Sequence, residues 1–182
     1  MAKGNSWQTR NSRPLYSTDG PRKIMKRELI GKPQFTVDQL YIPPFRQRKR
    51  YDEDGRWQYV PVEQPAAPTG INVMDDYLHY LAAGQSDMQA FADRHGLKTE
   101  EVGAMVFILT GIKSQRFRQL YQMRLADDLL RYTDLPFDAV ARRSGLGSPN
   151  NMYLALRREY DMSATERRQF LRRESDARGF RL

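Results

Sequence analysis

The chain has no cysteine among its 182 residues. Disulfides, thiolate nucleophiles and cysteine-ligated zinc or iron–sulfur sites are therefore excluded, and the composition fits a reducing, cytoplasmic setting. Histidine is almost as scarce. His79 and His95 are the two examples, far apart and with no carboxylate cluster at ligand spacing, so no metal site is expected. Long apolar runs are missing too. The longest, Ala104 to Leu109, spans six residues, against the roughly 20 needed to cross a bilayer. One Lys and one Arg lie in the first ten residues with no apolar run behind them, so neither a signal peptide nor a membrane partner is expected. Gly31-Lys32 lacks the upstream glycine of a phosphate-binding loop, and no Gly-x-Ser-x-Gly elbow occurs. The paired acids Asp75-Asp76 and Asp127-Asp128 stand about 100° apart on a helix and are expected to face water. No catalytic residue and no cofactor is assigned, and a non-enzymatic role is expected.

What the chain has is positive charge, unevenly spread. Lys and Arg number 30 against 22 Asp and Glu, a net of +8. That balance points to an anionic partner, most often nucleic acid. Residues 1–70 hold eight of the ten prolines and 13 Lys and Arg against 7 Asp and Glu. The first thirty-odd residues show no hydrophobic period and cannot bury enough surface alone to offset their chain entropy. Residues 35–43 and 57–62 carry β-type residues in rough alternation, and Asp54-Gly55 is a turn signal. A hairpin over residues 46–62 is expected, followed by a Pro-containing linker at 63–70. Residues 1–70 are thus read as a basic, extended arm without a core of its own.

After Gly70 the period becomes helical. Seven helices are expected: Asp75–Ala83, a helix capped by Ser86-Asp87 and ending at His95-Gly96, Thr99–Thr110 with Thr99 as its N-cap, Ser114–Arg131, Pro136–Arg143, Ser148–Tyr160 and Ser163–Arg173. The most informative stretch is 145–168. A small-residue turn opens a helix in which Met152, Leu156 and Tyr160 share one face, while Asn150, Asn151, Arg157 and Arg158 lie off that stripe. A helix, a tight glycine turn, and a second helix with polar and basic residues outward is the grammar of a helix-turn-helix.

Further positions carry a family resemblance. These are Ala92, Gly96-Leu97, Val102, Val106 and Thr110-Gly111, then Arg124-Leu125-Ala126 with Leu129-Leu130. Val140-Ala141, Gly145-Leu146, Met152, Leu156, Arg157 and Tyr160 follow, then Ser163 and Arg168. Over roughly residues 74–170 the chain resembles the DNA-binding domain of the AraC/XylS family of bacterial transcription regulators. The resemblance implies a mainly α domain with two helix-turn-helix units held apart by a linker helix, each unit placing one recognition helix in the major groove of DNA. It departs from the family at Asp161-Met-Ser-Ala164, where Gly-x-Ser-Pro is usual, and at Leu146, where Phe is usual. The first recognition helix would lead with Glu100, Glu101, Gly103 and Ala104, which suit neither phosphates nor base edges. Residues 71–112 carry 2 basic against 6 acidic side chains, and residues 113–182 carry 15 against 9, so the second unit is the better suited to DNA.

The domain reading is an arm at 1–70, an AraC-like helical domain at 71–175 and a tail at 176–182. Candidate DNA contacts are Ser148, Asn150, Asn151, Tyr153, Arg157 and Arg158. Arg46, Arg48, Lys49 and Arg50 form a basic patch with interleaved aromatics that suits nucleic acid. Phe45, Tyr51, Trp57, Tyr59 and Phe107 are candidate anchors for a partner. The expected function is a sequence-specific, DNA-binding transcription regulator without a ligand domain, since 70 residues are too few for the family's usual one. The alternative is a non-enzymatic assembly or adaptor subunit, its AraC-like block rigid and its basic arm threaded along a large protein or nucleoprotein complex.

Overall fold

The computed structural model describes residues 32–63, 68–173, 175 and 178–182. Residues 1–31 and half of the expected linker, 64–67, lie outside them. Among the described residues seven helices follow one another: α1 (Asn72–Ala82), α2 (Met88–Arg94), α3 (Thr99–Thr110), α4 (Ser114–Tyr132), α5 (Phe137–Arg143), α6 (Pro149–Tyr160) and α7 (Ala164–Arg172). The strands β1 (Gln47–Tyr51), β2 (Trp57–Pro61) and β3 (Phe180–Arg181) make a small antiparallel sheet in the order β2-β1-β3. Each helix lies within a few residues of its expected span, because the caps act locally. Asp87 accepts from the N–H groups of Gln89 and Ala90, Ser148 from Asn151, and Ser163 from Glu166. His95 closes α2, as expected. Thr99 is not the cap of α3. That helix opens at Lys98, and Glu101 reaches back to accept the Lys98 N–H at 2.8 Å.

The helices enclose two cores that meet along α4. Phe117, Tyr121 and Leu125 join side chains of α1, α2 and α3, among them Tyr77, Leu78, Phe91, Val102 and Val106. Met123, Ala126, Leu129 and Leu130 join Val140, Ala141, Met152, Leu156 and Leu171 from α5, α6 and α7. The turn after α1 is pressed against the turn after α5. A Cβ at Gly84, where φ is +76°, would stand 2.3 Å from the Arg143 carbonyl oxygen, and one at Gly145 3.0 Å from the Gly84 oxygen. Only glycine fits such an approach. Gln122 of α4 seals the contact by donating to the Gly145 carbonyl at 2.8 Å.

Three parts of the chain differ from the sequence expectation. First, residues 34–45 pack on the helices. Leu40 and Ile42 are buried in the first core, and Phe45 is buried against Tyr132 and Phe180. The backbone N–H groups of Gln34 and Phe35 donate to the Leu109 carbonyl at the end of α3, and that of Ile42 donates to the Tyr121 hydroxyl at 3.1 Å. The unit that holds the helices begins at Lys32. Residues 35–43 show only a rough β-type alternation, closed by Pro43-Pro44, and no helical period, which is why the segment reads as arm. Second, Phe180 and Arg181, read as tail, pair with Arg48 and Gln47 and add a strand to the hairpin. Third, Asp75, Asp127 and Asp128 are buried rather than facing water. Asp75 accepts from the Thr69 N–H and hydroxyl at 2.8 and 2.7 Å. Asp128 accepts from the Tyr41 hydroxyl at 2.8 Å. Asp127 takes the Arg167 guanidinium and the Tyr160 hydroxyl.

Two expectations follow for stability. Phe45→Ala removes a ring enclosed by aromatic neighbours and should cost about 3–5 kcal/mol in urea unfolding. An unchanged midpoint would show this segment to be free of the helices. Burial raises the Asp128 pKa, against the opposing Tyr41 hydrogen bond and the charges of Arg124 and Arg131. A carboxyl whose folded pKa lies above its unfolded one favours folding in acid, and that contribution is lost as pH rises through the folded value. Asp128→Asn should therefore be more stable than the parent at pH 7 and equal to it near pH 3, measured by thermal melts. A loss of stability at pH 7 would show that the charged form is the one the fold requires.

Candidate nucleic-acid interface

The α5–α6 pair is built from short-range instructions. Ser144, fully buried, donates its hydroxyl to the Ala141 carbonyl at 3.2 Å and ends α5. The turn Gly145-Leu146-Gly147 then reverses the chain. Ser148 caps α6, and Pro149 occupies its first turn, where its missing N–H leaves nothing unpaired. Met152, Ala155 and Leu156 point into the second core, which fixes the rotation of the helix. The remaining positions Asn150, Asn151, Tyr153, Leu154, Arg157 and Arg158 are all exposed. The structure thus places five of the six candidate DNA contacts on one outward face and makes the sixth, Ser148, the cap at its leading end.

These side chains differ in how far they are committed. Neither Asn150 nor Asn151 uses its side-chain amide in a hydrogen bond among the described residues. Arg157 donates to the Asp161 carbonyl at 2.9 Å, lies 3.3 Å from the Asp161 carboxylate, and sits over the Tyr153 ring at 5.7 Å. It therefore also closes the end of α6. Arg158 lies 3.4 Å from Glu159.

Glu159 adds a polar clasp between α6 and α4 to their shared core. Arg116 grips its two carboxylate oxygens at 2.7 and 3.1 Å, and Gln119 donates at 2.8 Å. The Arg116 hydrogen bond lowers the Glu159 pKa below its ordinary value. Sequence reasoning missed this clasp because its members are about forty positions apart. The spacing of Arg116 and Gln119 on one face of α4 was the visible signal. The arginines of α7 are likewise turned inward. Arg167 pairs with Asp127 at 2.5 Å and lies 3.6 Å over the Tyr160 ring, Arg168 donates to the Leu135 carbonyl, and Arg172 donates to the carbonyls of Leu130 and Thr133 and to Asp134. They hold the C-terminal end of α4, where cations are favoured.

The α2–α3 pair presents a different surface. Val102, Val106 and Leu109 are buried, while Glu100, Glu101, Ala104, Phe107 and Ile108 are exposed. Phe107 is outward as expected, at 36 % exposure, but Ile108 is more so, at 66 %. The two carboxylates lie in the first turn of α3, where the helix dipole favours them.

The basic patch lies on the sheet. Arg46, Arg48 and Arg50 are exposed and Lys49 half-buried. Tyr51 and Trp57 are exposed and Tyr59 partly so, which leaves three of the four proposed arm anchors on a surface. Phe45 is not one of them, because its ring is spent on joining the sheet to α4. Among the described residues no group of acids and histidines could hold a metal ion, and no helix is long and apolar enough to cross a membrane.

No protein-family model matches the chain, and no curated protein matches it. Among solved structures it is similar to the C-terminal domain of the two-component response regulator yesN from Fusobacterium nucleatum, at 18% identity and a TM-score of 0.47 over 53% of this chain and 94% of that one. It is similar to the C-terminal domain of AraT, a response regulator from Geobacillus stearothermophilus, at 18% identity and a TM-score of 0.45 over 50% of this chain and 76% of that one. It is similar also to the DNA-binding domain of AdpA, a global transcriptional factor, in complex with a target DNA, at 26% identity and a TM-score of 0.48 over 56% of this chain and 90% of that one.

Capping and recognition are separable at the start of α6. Ser148→Ala removes the cap and should cost about 1 kcal/mol of stability. Asn150→Ala should leave the thermal midpoint within a degree or so of the parent, since its side chain supports nothing in the fold. If the Asn150 variant is the less stable of the two, Asn150 is a structural residue and leaves the candidate interface.

Proposed function

We propose that the chain is a DNA-binding transcription regulator of the AraC/XylS kind, with two helix-turn-helix units of which the second reads the DNA. The observation that carries this is the outward face of α6. It joins uncommitted amides at Asn150 and Asn151, a ring at Tyr153 and cations at Arg157 and Arg158, on a helix whose rotation the core fixes. Amides at the leading end of a helix pair bidentately with adenine, and cations further along it hold phosphates. The exposed Leu154 side chain suits a thymine methyl. The α4 helix sets the spacing of the two units, and the Glu159 clasp keeps α6 in register with it. In this reading α3 lies near the duplex as a blunt element, because Glu100 and Glu101 repel phosphate.

The adaptor reading rests on one specific observation, the exposed Phe107 and Ile108 on α3. It assigns that face to a protein partner.

Binding of the full chain to a pool of random duplexes, followed across salt concentration, tests the regulator reading. Selectable sequences and a steep salt slope are expected. Arg157→Ala and Arg158→Ala should each weaken binding and flatten the slope of log K against log salt by about 0.9 for each phosphate contact removed. Glu100→Ala and Ile108→Glu should not weaken it beyond their effect on net charge. Weak, sequence-blind binding, or a larger loss from Glu100→Ala than from either arginine, would overturn the assignment in favour of the adaptor.

A further inference from the structure

The DNA reading proposed for α6 leaves the basic patch of the sheet without a role. We propose that the outer face of this sheet is a second site, which binds single-stranded nucleic acid by stacking bases on Trp57 and Tyr51 and holding phosphates with Lys49 and Arg181.

The strand register puts the necessary groups on one face. Tyr51 pairs with Trp57, Lys49 with Tyr59, and Gln47 with both Pro61 and Arg181. Directly paired residues project to the same side of a sheet, and alternate residues follow them. The contacts agree. The Lys49 ammonium lies 5.2 Å from the Tyr51 ring centre and 5.0 Å from that of Trp57, Trp57 meets Tyr59 edge to face at 5.6 Å, and Arg181 lies 3.7 Å over Tyr59. On the opposite face Phe180 turns inward onto Phe45 and Tyr132, while Arg48 and Arg50 stay exposed. The two rings are open to solvent, with Tyr51 57 % and Trp57 55 % exposed. Neither ring is needed to close a core.

Charge and shape favour nucleic acid as the occupant. Lys49 and Arg181 lie on this face, while Arg48 and Arg50 alternate with Lys49 on the other face of the same small sheet and add to the positive potential around it. The three acids of residues 46–62, Asp52, Glu53 and Asp54, are gathered in the hairpin turn, where Asp52 accepts from the N–H groups of Asp54 and Arg56. A positive sheet with rings at its surface fits an extended polyanion whose units end in flat π faces. A duplex hides those faces in its own stack, so the rings select a single strand. A protein would need acidic groups interleaved with rings at the same spacing, and it is the competing outcome.

The test uses the full chain and three fluorescent probes: an oligothymidine of about ten nucleotides, enough to span one such face, an abasic strand of equal length, and a duplex. Oligothymidine should bind several-fold more tightly than the equally charged abasic strand. Trp57→Thr and Tyr51→Thr, which suit an exposed strand position, should each lower oligothymidine affinity about tenfold and leave the abasic strand and the duplex unchanged. Trp57→Phe should restore most of the loss, which separates stacking from damage to the hairpin. Arg158→Ala should not change oligothymidine binding. Equal affinity for the two single strands, or unchanged oligothymidine binding in both Thr variants, would overturn the proposal and point to a protein on this face. No binding of the duplex by the parent chain, with oligothymidine still bound, would count against the α6 reading and leave the sheet site standing.

Discussion

The structure depends on α4 being buried on two sides at once. Phe117, Tyr121 and Leu125 lie in one core, and Met123, Ala126, Leu129 and Leu130 in the other. Neither helix pair can shift along α4 without opening a cavity in its own core, and close-packed interiors resist that. The crowded turns at Gly84 and Gly145 add a backbone contact between the halves that no side chain could replace. An interface on α6 therefore inherits its position from the whole helical unit rather than from its own hydrogen bonds.

The helices were legible in the sequence because their signals are local. Caps at Asp87, Ser148 and Ser163, prolines in first turns and apolar steps of four act within a turn or two. The outward face of α6 was legible for the same reason. Long-range features were not. Leu40 and Ile42 belong to the first core and Phe45 is buried against Tyr132 and Phe180, but the rough alternation near them gives no sign of the helices that cover them. Phe180 and Arg181 make a strand only because β1 offers an edge far away in the chain. The adjacent pair Asp127-Asp128 looked like a solvated helix surface. Each acid is in fact buried beside a partner from another element, Asp127 with Arg167 and Asp128 with Tyr41.

Charge is sorted by role more sharply than by sequence. Arg116, Arg167, Arg168 and Arg172 are turned to carboxylates and backbone carbonyls and stabilise the fold. Exposed cations stand on α6 at Arg157 and Arg158, on the sheet at Arg48, Arg50 and Arg181, and also elsewhere, as at Arg124, Arg142 and Arg143, while α3 keeps acids and apolar side chains outward. Net charge alone exaggerates the electrostatic surface by counting arginines that are spent inside. Two helix pairs of similar construction thus present opposite chemistries, and the difference rests on a handful of solvent-facing residues.

The central claim is that α6, and not α3, meets the DNA. Amide chemical shifts of the labelled chain, followed during titration with a selected duplex, test it most directly. The account predicts that the largest shifts fall on residues 148–154 and on Arg157 and Arg158, with residues 100–108 nearly still. Shifts concentrated at 100–108, with the leading turn of α6 unmoved, would contradict it.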